Sequence, residues 1–261
     1  MLAPAGGYSG YQIDQSMVLD GSSDYLSWTP AVAGTDSTRF SFSCFLKFCE
    51  FDRAQSFFSA GSSNTNRTDI AIVSSNKIQF TQRVSSSTIS NVSTNAVFRD
   101  PGSWYHVVVI YNSNEASSSD RIKIIVNGVE QTLTHTDAID SARAVHFAAA
   151  NEHAFGLRVG TPSQYFNGYI ADPRYLDGQV GSATDFGEFN SDNIWSPKAV
   201  SGLTYGTNGF FLPFTQDTPN LGVDYSGNGN DWTENGSPTQ SSDSPTVNYA
   251  TFNVVDIRQS G

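Results

Sequence analysis

The chain has little cysteine, methionine, histidine or positive charge. Two Cys, two Met and four His stand among 261 residues, and Lys and Arg together number 14. Two thiols cannot build the multi-bridge framework of a small secreted domain. They are Cys44 and Cys49, five positions apart in an apolar run. An odd spacing along a strand puts them on opposite faces, so they are expected to stay unpaired, as suits assembly in a reducing cytosol. His106 falls in mid-strand, where a hydrogen-bonded core histidine is expected. His135, His146 and His153 lie in a polar stretch without ligand spacing, which excludes a zinc pattern. The scarcity of Lys and Arg, with a net charge of −11, argues against nucleic acid or an anionic membrane as partner. No apolar run is long enough for a membrane span, and the opening MLAPAGGYSGY has neither the basic start nor the apolar centre of a signal peptide.

What the chain does have is 18 Phe, 11 Tyr and many short apolar runs separated by Ser, Thr, Asn and Gly, and that is the composition of a β-sandwich. The stretch Gly102 to Gln131 carries the clearest signal. Trp104, His106, Val108 and Ile110 alternate with Tyr105, Val107, Val109 and Tyr111, so both faces of this strand are apolar and both should be covered. A second strand through Ile122, Ile124 and Val126 ends at Asn127-Gly128, a pair that tolerates the positive φ angles of a tight hairpin. In the run from Phe40 to Phe48, residues Phe40, Phe42, Cys44, Leu46 and Phe48 share one face. A short helix is possible at Ala144 to Ala149. No helical period is sustained for more than two turns, and no repeat indicates a solenoid.

The texture changes after Asp177. Residues 181–261 hold nine acidic and two basic side chains, against sixteen and twelve in residues 1–180. The chain is therefore divided into an N-terminal arm (1–15), a sandwich core (16–178) and a C-terminal extension (179–261). The extension has too few aliphatic residues for a second core and is expected to pack on the sandwich or on a neighbouring subunit.

Several segments, in order, resemble the laminin-G-like or concanavalin A-like jelly roll. They are Val18-Leu-Asp-Gly-Ser-Ser-Asp-Tyr-Leu26, Phe40-Ser-Phe-Ser-Cys-Phe-Leu-Lys47, Trp104-Tyr-His-Val-Val-Val with Ile125-Val-Asn-Gly128, and Phe166-Asn-Gly-Tyr-Ile-Ala-Asp-Pro-Arg-Tyr175. The expected fold class is thus all-β, an antiparallel jelly-roll β-sandwich with an extended C-terminal wrap. Later segments, among them Asp185-Phe-Gly-Glu-Phe189 and Asp224-Tyr-Ser-Gly-Asn-Gly-Asn-Asp-Trp232, are similar to segments of jelly-roll proteins of aquatic tailed phages. That resemblance implies a virion structural protein, such as a head fibre, capsid decoration or tail-fibre component. It implies assembly in a host cytoplasm as a homo-oligomer (first expectation, a trimer) that contacts other virion proteins and host surface glycans. A free-standing carbohydrate- or receptor-binding module is the alternative, and a polysaccharide hydrolase a third reading.

The hydrolase reading meets an obstacle in the sequence. Jelly-roll glucanases need paired carboxylates around the scissile bond. Glu50 and Asp52 have the alternation for this, but Ala54 and Gln55 stand where the third carboxylate should follow, so no catalytic residue is assigned. The resemblance implies a calcium site at the rim of the sandwich, built on Asp20, Asp24 and Asp172; Ala171 replaces the second acidic position of the closing strand. The competing reading is that these carboxylates tie down turn amides. For glycan stacking, Tyr165, Tyr169 and Trp232 are the candidates, against the alternative that such rings fill the core or subunit contacts.

Overall fold

The computed structural model describes residues 10–160 and 164–247. The chain forms β1 (Ser16–Asp20), β2 (Tyr25–Trp28), β3 (Arg39–Phe48), β4 (Gln55–Ser63), β5 (Asn66–Ile72), β6 (Ile78–Val84) and β7 (Ser87–Thr94). There follow β8 (Tyr105–Asn112), β9 (Ile122–Val126), β10 (Val129–Glu130), β11 (Leu133–Asp137), β12 (Glu152–Phe155) and β13 (Asn167–Asp177). Five short strands complete the described chain: β14 (Gly187–Phe189), β15 (Trp195–Pro197), β16 (Phe210–Phe211), β17 (Thr233–Asn235) and β18 (Thr239–Ser241). The helix expected near Ala144 is a single 3-10 turn at His146–Ala148.

Two antiparallel sheets form a jelly-roll sandwich. The first runs β10-β9-β8-β3-β13-β1-β18, with β16 also on β13; the second runs β11-β7-β6-β5-β4-β12-β2-β17. Gly21, at φ +75°, lets the chain pass from β1 in the first sheet to β2 in the second. The alternating face of β3 points inward as its pattern required: Phe40, Phe42, Cys44, Leu46 and Phe48 all lie in the main core. Opposite them stand rings from β4, β12 and the 3-10 turn. Phe58 stacks on Phe147 at 4.3 Å and on Phe42 at 4.8 Å. Each such buried ring contributes roughly 1.5–3 kcal/mol, and offset pairs add to that. Cys44 is buried and Cys49 exposed, both as free thiols.

The two-sided apolarity of β8 has a direct cause. Val107, Val109 and Tyr111 face the main core. Val108 and Ile110 face outward and are roofed, with Ile125 and Leu176, by Phe186, Leu203 and Tyr205 of the C-terminal segment. That segment also adds edge strands: β18 pairs with β1, β17 with β2 and β16 with β13. Residues 10–15 lie on the outside of the first sheet, where Ile13 packs with Phe45 and Ala171. The rest of the arm (1–9) and the last part of the extension (248–261) lie outside the described residues.

Strand β13 is interrupted at Asp172 and Pro173. Asp172 has φ +51°, and the register to β3 shifts between Ala171 and Arg174. A bulge there accommodates a proline that could donate no ladder hydrogen bond. It also divides the strand's free edge. Residues up to Ile170 pair with β1, while Arg174 and Tyr175 pair with β16.

Candidate functional site

Outward-facing residues of β3 and β8 build the floor of an aromatic groove on the first sheet. Phe45 lies opposite His106 in the register, and their rings stack at 4.1 Å with 8° between planes. Above them stands the β14–β15 hairpin, which presents Trp195. The indole N–H of Trp195 donates to Nδ1 of His106 at 2.8 Å. An indole nitrogen can only donate, so Nδ1 is the unprotonated nitrogen and the imidazole proton sits on Nε2. From there it is donated to Ser43 Oγ, also at 2.8 Å. Burial, helped by the positive Arg174, pushes His106 down to about 3, so the ring is neutral at physiological pH.

Two glycines make room for Trp195. A Cβ on Gly128 would lie 2.2 Å from its Cε3, and one on Gly187 would lie 2.6 Å from its Cζ2. Gly128 belongs to the Asn127-Gly128 turn. Its neighbour Asn127 accepts the His106 backbone N–H at Oδ1, 2.8 Å away. The turn between β14 and β15 is held by Asn190, whose Oδ1 accepts the N–H of Asp192 and of Ile194. This lifts Asn193 and Ile194 to the rim, where Ile194 is 60% and Phe189 49% exposed.

The result is an open groove of about 390 Å³, lined by Phe45, Trp104, Phe189, Trp195 and Ile194 with the amides of Asn127 and Asn193. Among the described residues, no charged side chain lines it. Trp104 is held from behind: its Nε1–H donates to Asp243 Oδ1 at 3.2 Å, and Asp243 Oδ2 pairs with the buried Lys47 at 2.8 Å. Tyr169 continues the aromatic surface beside Trp104, ring centroids 6.1 Å apart. Half-buried rings with amide groups at the edge can stack on the C–H face of a sugar and hydrogen-bond its hydroxyls.

Of the three rings proposed from sequence, the structure places only Tyr169 by this groove. Tyr165 is in the loop before β13, packed against Tyr25 of the other sheet at 6.3 Å. Trp232 must be corrected outright. It is 5% exposed and inserts between Phe155 and Phe210 at 4.8 and 5.0 Å, so it has no free face for a ligand. Its flanking Asn, Gly and Asp residues suggested a loop, but the chain turns inward there just before β17, which pairs with β2. Trp195, like Tyr175, was one of the loop aromatics the sequence offered for sugar stacking but not one of the three singled out; Phe189 and Asn193 went unnoticed, because two three-residue strands and their turn carry no periodic signal.

The calcium expectation also requires correction. Asp20 and Asp24 share the β1–β2 turn, but Asp20 lies opposite Asn167 in the register and Asp172 is five residues further along β13. The Asp20 carboxylate is engaged by the backbone N–H groups of Ser22, Ser23 and Asp24 and by both serine hydroxyls. Burial alone would raise Asp20, but the Ser22 hydroxyl and these amides outweigh it and hold the carboxyl far below its ordinary range. Asp24 Oδ1 accepts the Ser237 N–H. Asp172 is buried and forked onto Arg174 at 2.9 and 3.0 Å. These three residues do not fit a calcium ion, and among the described residues no group of three or more His, Cys, Asp or Glu is placed to hold a metal. The Asp224 loop is likewise self-satisfied, its carboxylate accepting from the N–H groups of Phe211, Ser226 and Asn230.

The family model described as the concanavalin A-like lectin/glucanases superfamily matches residues 20–183. The chain belongs to this superfamily. No curated protein is significantly similar to it in sequence. Among solved structures, this jelly roll is similar to the native heptameric SAP-like pentraxin from Limulus polyphemus, at 15% identity and TM-score 0.49, over 66% of this chain and 80% of the pentraxin. It is similar to the CBM40 of a Ruminococcus gnavus IT-sialidase at 14% identity and TM-score 0.46, over 67% and 96% of the two chains. It is also similar to domain 4 of AbnA, an extracellular GH43 arabinanase from Geobacillus stearothermophilus, at 18% identity and TM-score 0.45, over 67% and 76%.

Proposed function

We propose that this jelly roll is a non-catalytic glycan-binding module carried on a virion, and that the aromatic groove over β3 and β8 holds a neutral sugar. Membership of a lectin-containing superfamily supports the class of ligand. The carrying observation is the groove itself, in which Trp104, Trp195 and Phe189 surround an opening edged by two side-chain amides and free of charge. A sugar ring stacked there would satisfy its hydroxyls on Asn127 and Asn193 and desolvate no ion. The virion setting rests on the likeness of the C-terminal segments to those of phage jelly-roll proteins.

The non-catalytic reading has its own support. Glu50 is paired with Arg53 at 2.8 Å, and Asp52 accepts the Asn76 amide at 2.7 Å. The buried Asp69, Asp172 and Asp243 are each committed to an Arg or Lys. None is left as a facing pair across a cleft, as glycoside hydrolysis needs.

A glycan array of neutral and acidic oligosaccharides, followed by calorimetric titration of the best neutral ligand, tests this reading. Trp104→Ala and Phe189→Ala should weaken binding at least about ten-fold while the fold persists. Unchanged affinity in both folded variants would move the site elsewhere. Hydrolysis of an arrayed glycan would defeat the non-catalytic reading, and absence of the protein from purified particles would defeat the virion setting.

A further inference from the structure

The opposite sheet carries an unusual concentration of positive charge in an otherwise acidic protein. Arg67 on β5 and Arg83 on β6 are direct partners in the antiparallel register. Like charges placed directly opposite across strands destabilise a sheet. A third guanidinium joins them from the loop after β12: Arg158 binds Asp69 Oδ2 at 3.2 Å, while Arg67 binds Asp69 Oδ1 at 2.7 Å. Two of these three cations therefore bind the same carboxylate. The next carboxylate in the row is Glu152, two strands away beyond Gly61.

The remaining contacts of these side chains are neutral. Arg67 Nη1 donates to the backbone and side-chain oxygens of Asn64. Arg83 reaches the Asn64 carbonyl at 3.5 Å and the Ser86 carbonyl at 2.6 Å. The Nε–H groups of both Arg83 and Arg158 are buried and without a partner among the described residues. Burial pushes the Arg67 guanidinium below its ordinary value; Asp69 draws it back up, while Arg158 and Arg83 push it down. Arg67 is buried, whereas Arg83 and Arg158 are only partly covered.

We propose that Arg83 and Arg158, backed by Arg67, form an oxyanion site that takes the sulfate ester or carboxylate of an acidic polysaccharide. A guanidinium fork matches the paired oxygens of either group, and charge-assisted hydrogen bonds of this kind are about twice as strong as neutral ones. The bound anion would supply a negative partner to Arg83, whose own contacts are neutral carbonyls. This site is on the other sheet from the aromatic groove and does not depend on it.

Calorimetric titration of the full chain with inorganic sulfate and, separately, with acetate tests the proposal, chloride keeping the ionic strength constant. Arg83→Gln, Arg158→Gln and, as an unrelated control, Trp104→Ala are titrated alongside. Saturable sulfate or acetate binding that falls at least five-fold in both arginine variants and persists in Trp104→Ala is the expected result, and the anion that binds tells a sulfate ester from a carboxylate. Thermal unfolding without added anion gives a second readout: Arg83→Gln should melt no lower than the parent, because it relieves repulsion. No saturable binding of either anion, or binding unchanged in the arginine variants, overturns the proposal. Loss of glycan binding in Trp104→Ala with sulfate binding intact would separate this site from the groove.

Discussion

The Trp195 indole donates its only N–H to Nδ1 of His106, 89 positions earlier in the chain. This one bond fixes the tautomer of a buried histidine and anchors the hairpin that builds half of the groove. Because Nδ1 accepts and Nε2–H donates to Ser43, a protonated ring would have to break the contact with Trp195.

His106 should therefore make the fold sensitive to acid. Its value in the folded state is depressed to about 3, below the ordinary value near 6.5, so between these limits the unfolded chain binds more protons. Stability rises with pH across that window, with a slope contribution approaching about 1 kcal/mol per pH unit. It is complete above about pH 6.5. His106→Gln can keep both hydrogen bonds without titrating. Denaturant unfolding between pH 4 and 7 should show a shallower pH dependence in this variant, and an unchanged slope would mean that His106 does not titrate as argued.

Gly128→Ala should be costly for two separable reasons. The residue has φ +77°, and its new Cβ would lie 2.2 Å from Trp195 Cε3. The left-handed backbone alone costs about 1–2 kcal/mol, and displacement of the indole adds to it. The melting temperature should fall and the tryptophan emission shift red as Trp195 leaves its slot. Normal emission with lowered stability would show that only the backbone term operates.

Trp104 and Trp232 should divide stability from binding. Trp232→Ala removes a core ring and should cost about 3–5 kcal/mol, with glycan affinity unchanged wherever the variant remains folded. Trp104→Ala removes a half-buried ring, leaves the sandwich closed and should lose affinity instead. Equal effects of both variants on both quantities would contradict the placement of the groove.

Asp20→Asn tests the turn that the calcium expectation had claimed. The folded carboxyl is held well below its ordinary range, so its contribution is present above about pH 4 and disappears as pH falls further. The site is exposed, and solvent screening keeps the effect small, ~2 °C in melting temperature at neutral pH. The difference between parent and variant should shrink progressively as pH falls below about 4, and added calcium should not alter it. A calcium-dependent rise in the parent alone would restore the metal reading.

The alternation in Phe40 to Phe48 and the two-faced pattern of Trp104 to Tyr111 were enough to specify an antiparallel sandwich, because side chains on a strand must point to opposite sides and water sorts them. The Asn127-Gly128 turn and the unpaired thiols were legible for the same local reasons. Which rings are offered to a ligand was not. Trp232 and Trp195 sit in equally polar sequence, yet one fills the core and the other edges a groove. That outcome depends on where a distant chain segment packs, and local pattern carries no record of it. The pairing of Trp195 with His106, the arginine opposite an arginine, and the commitment of Asp172 to Arg174 likewise exist only once the sheets have closed. Burial and register, set by the whole fold, decide which polar groups find partners and which remain free to bind.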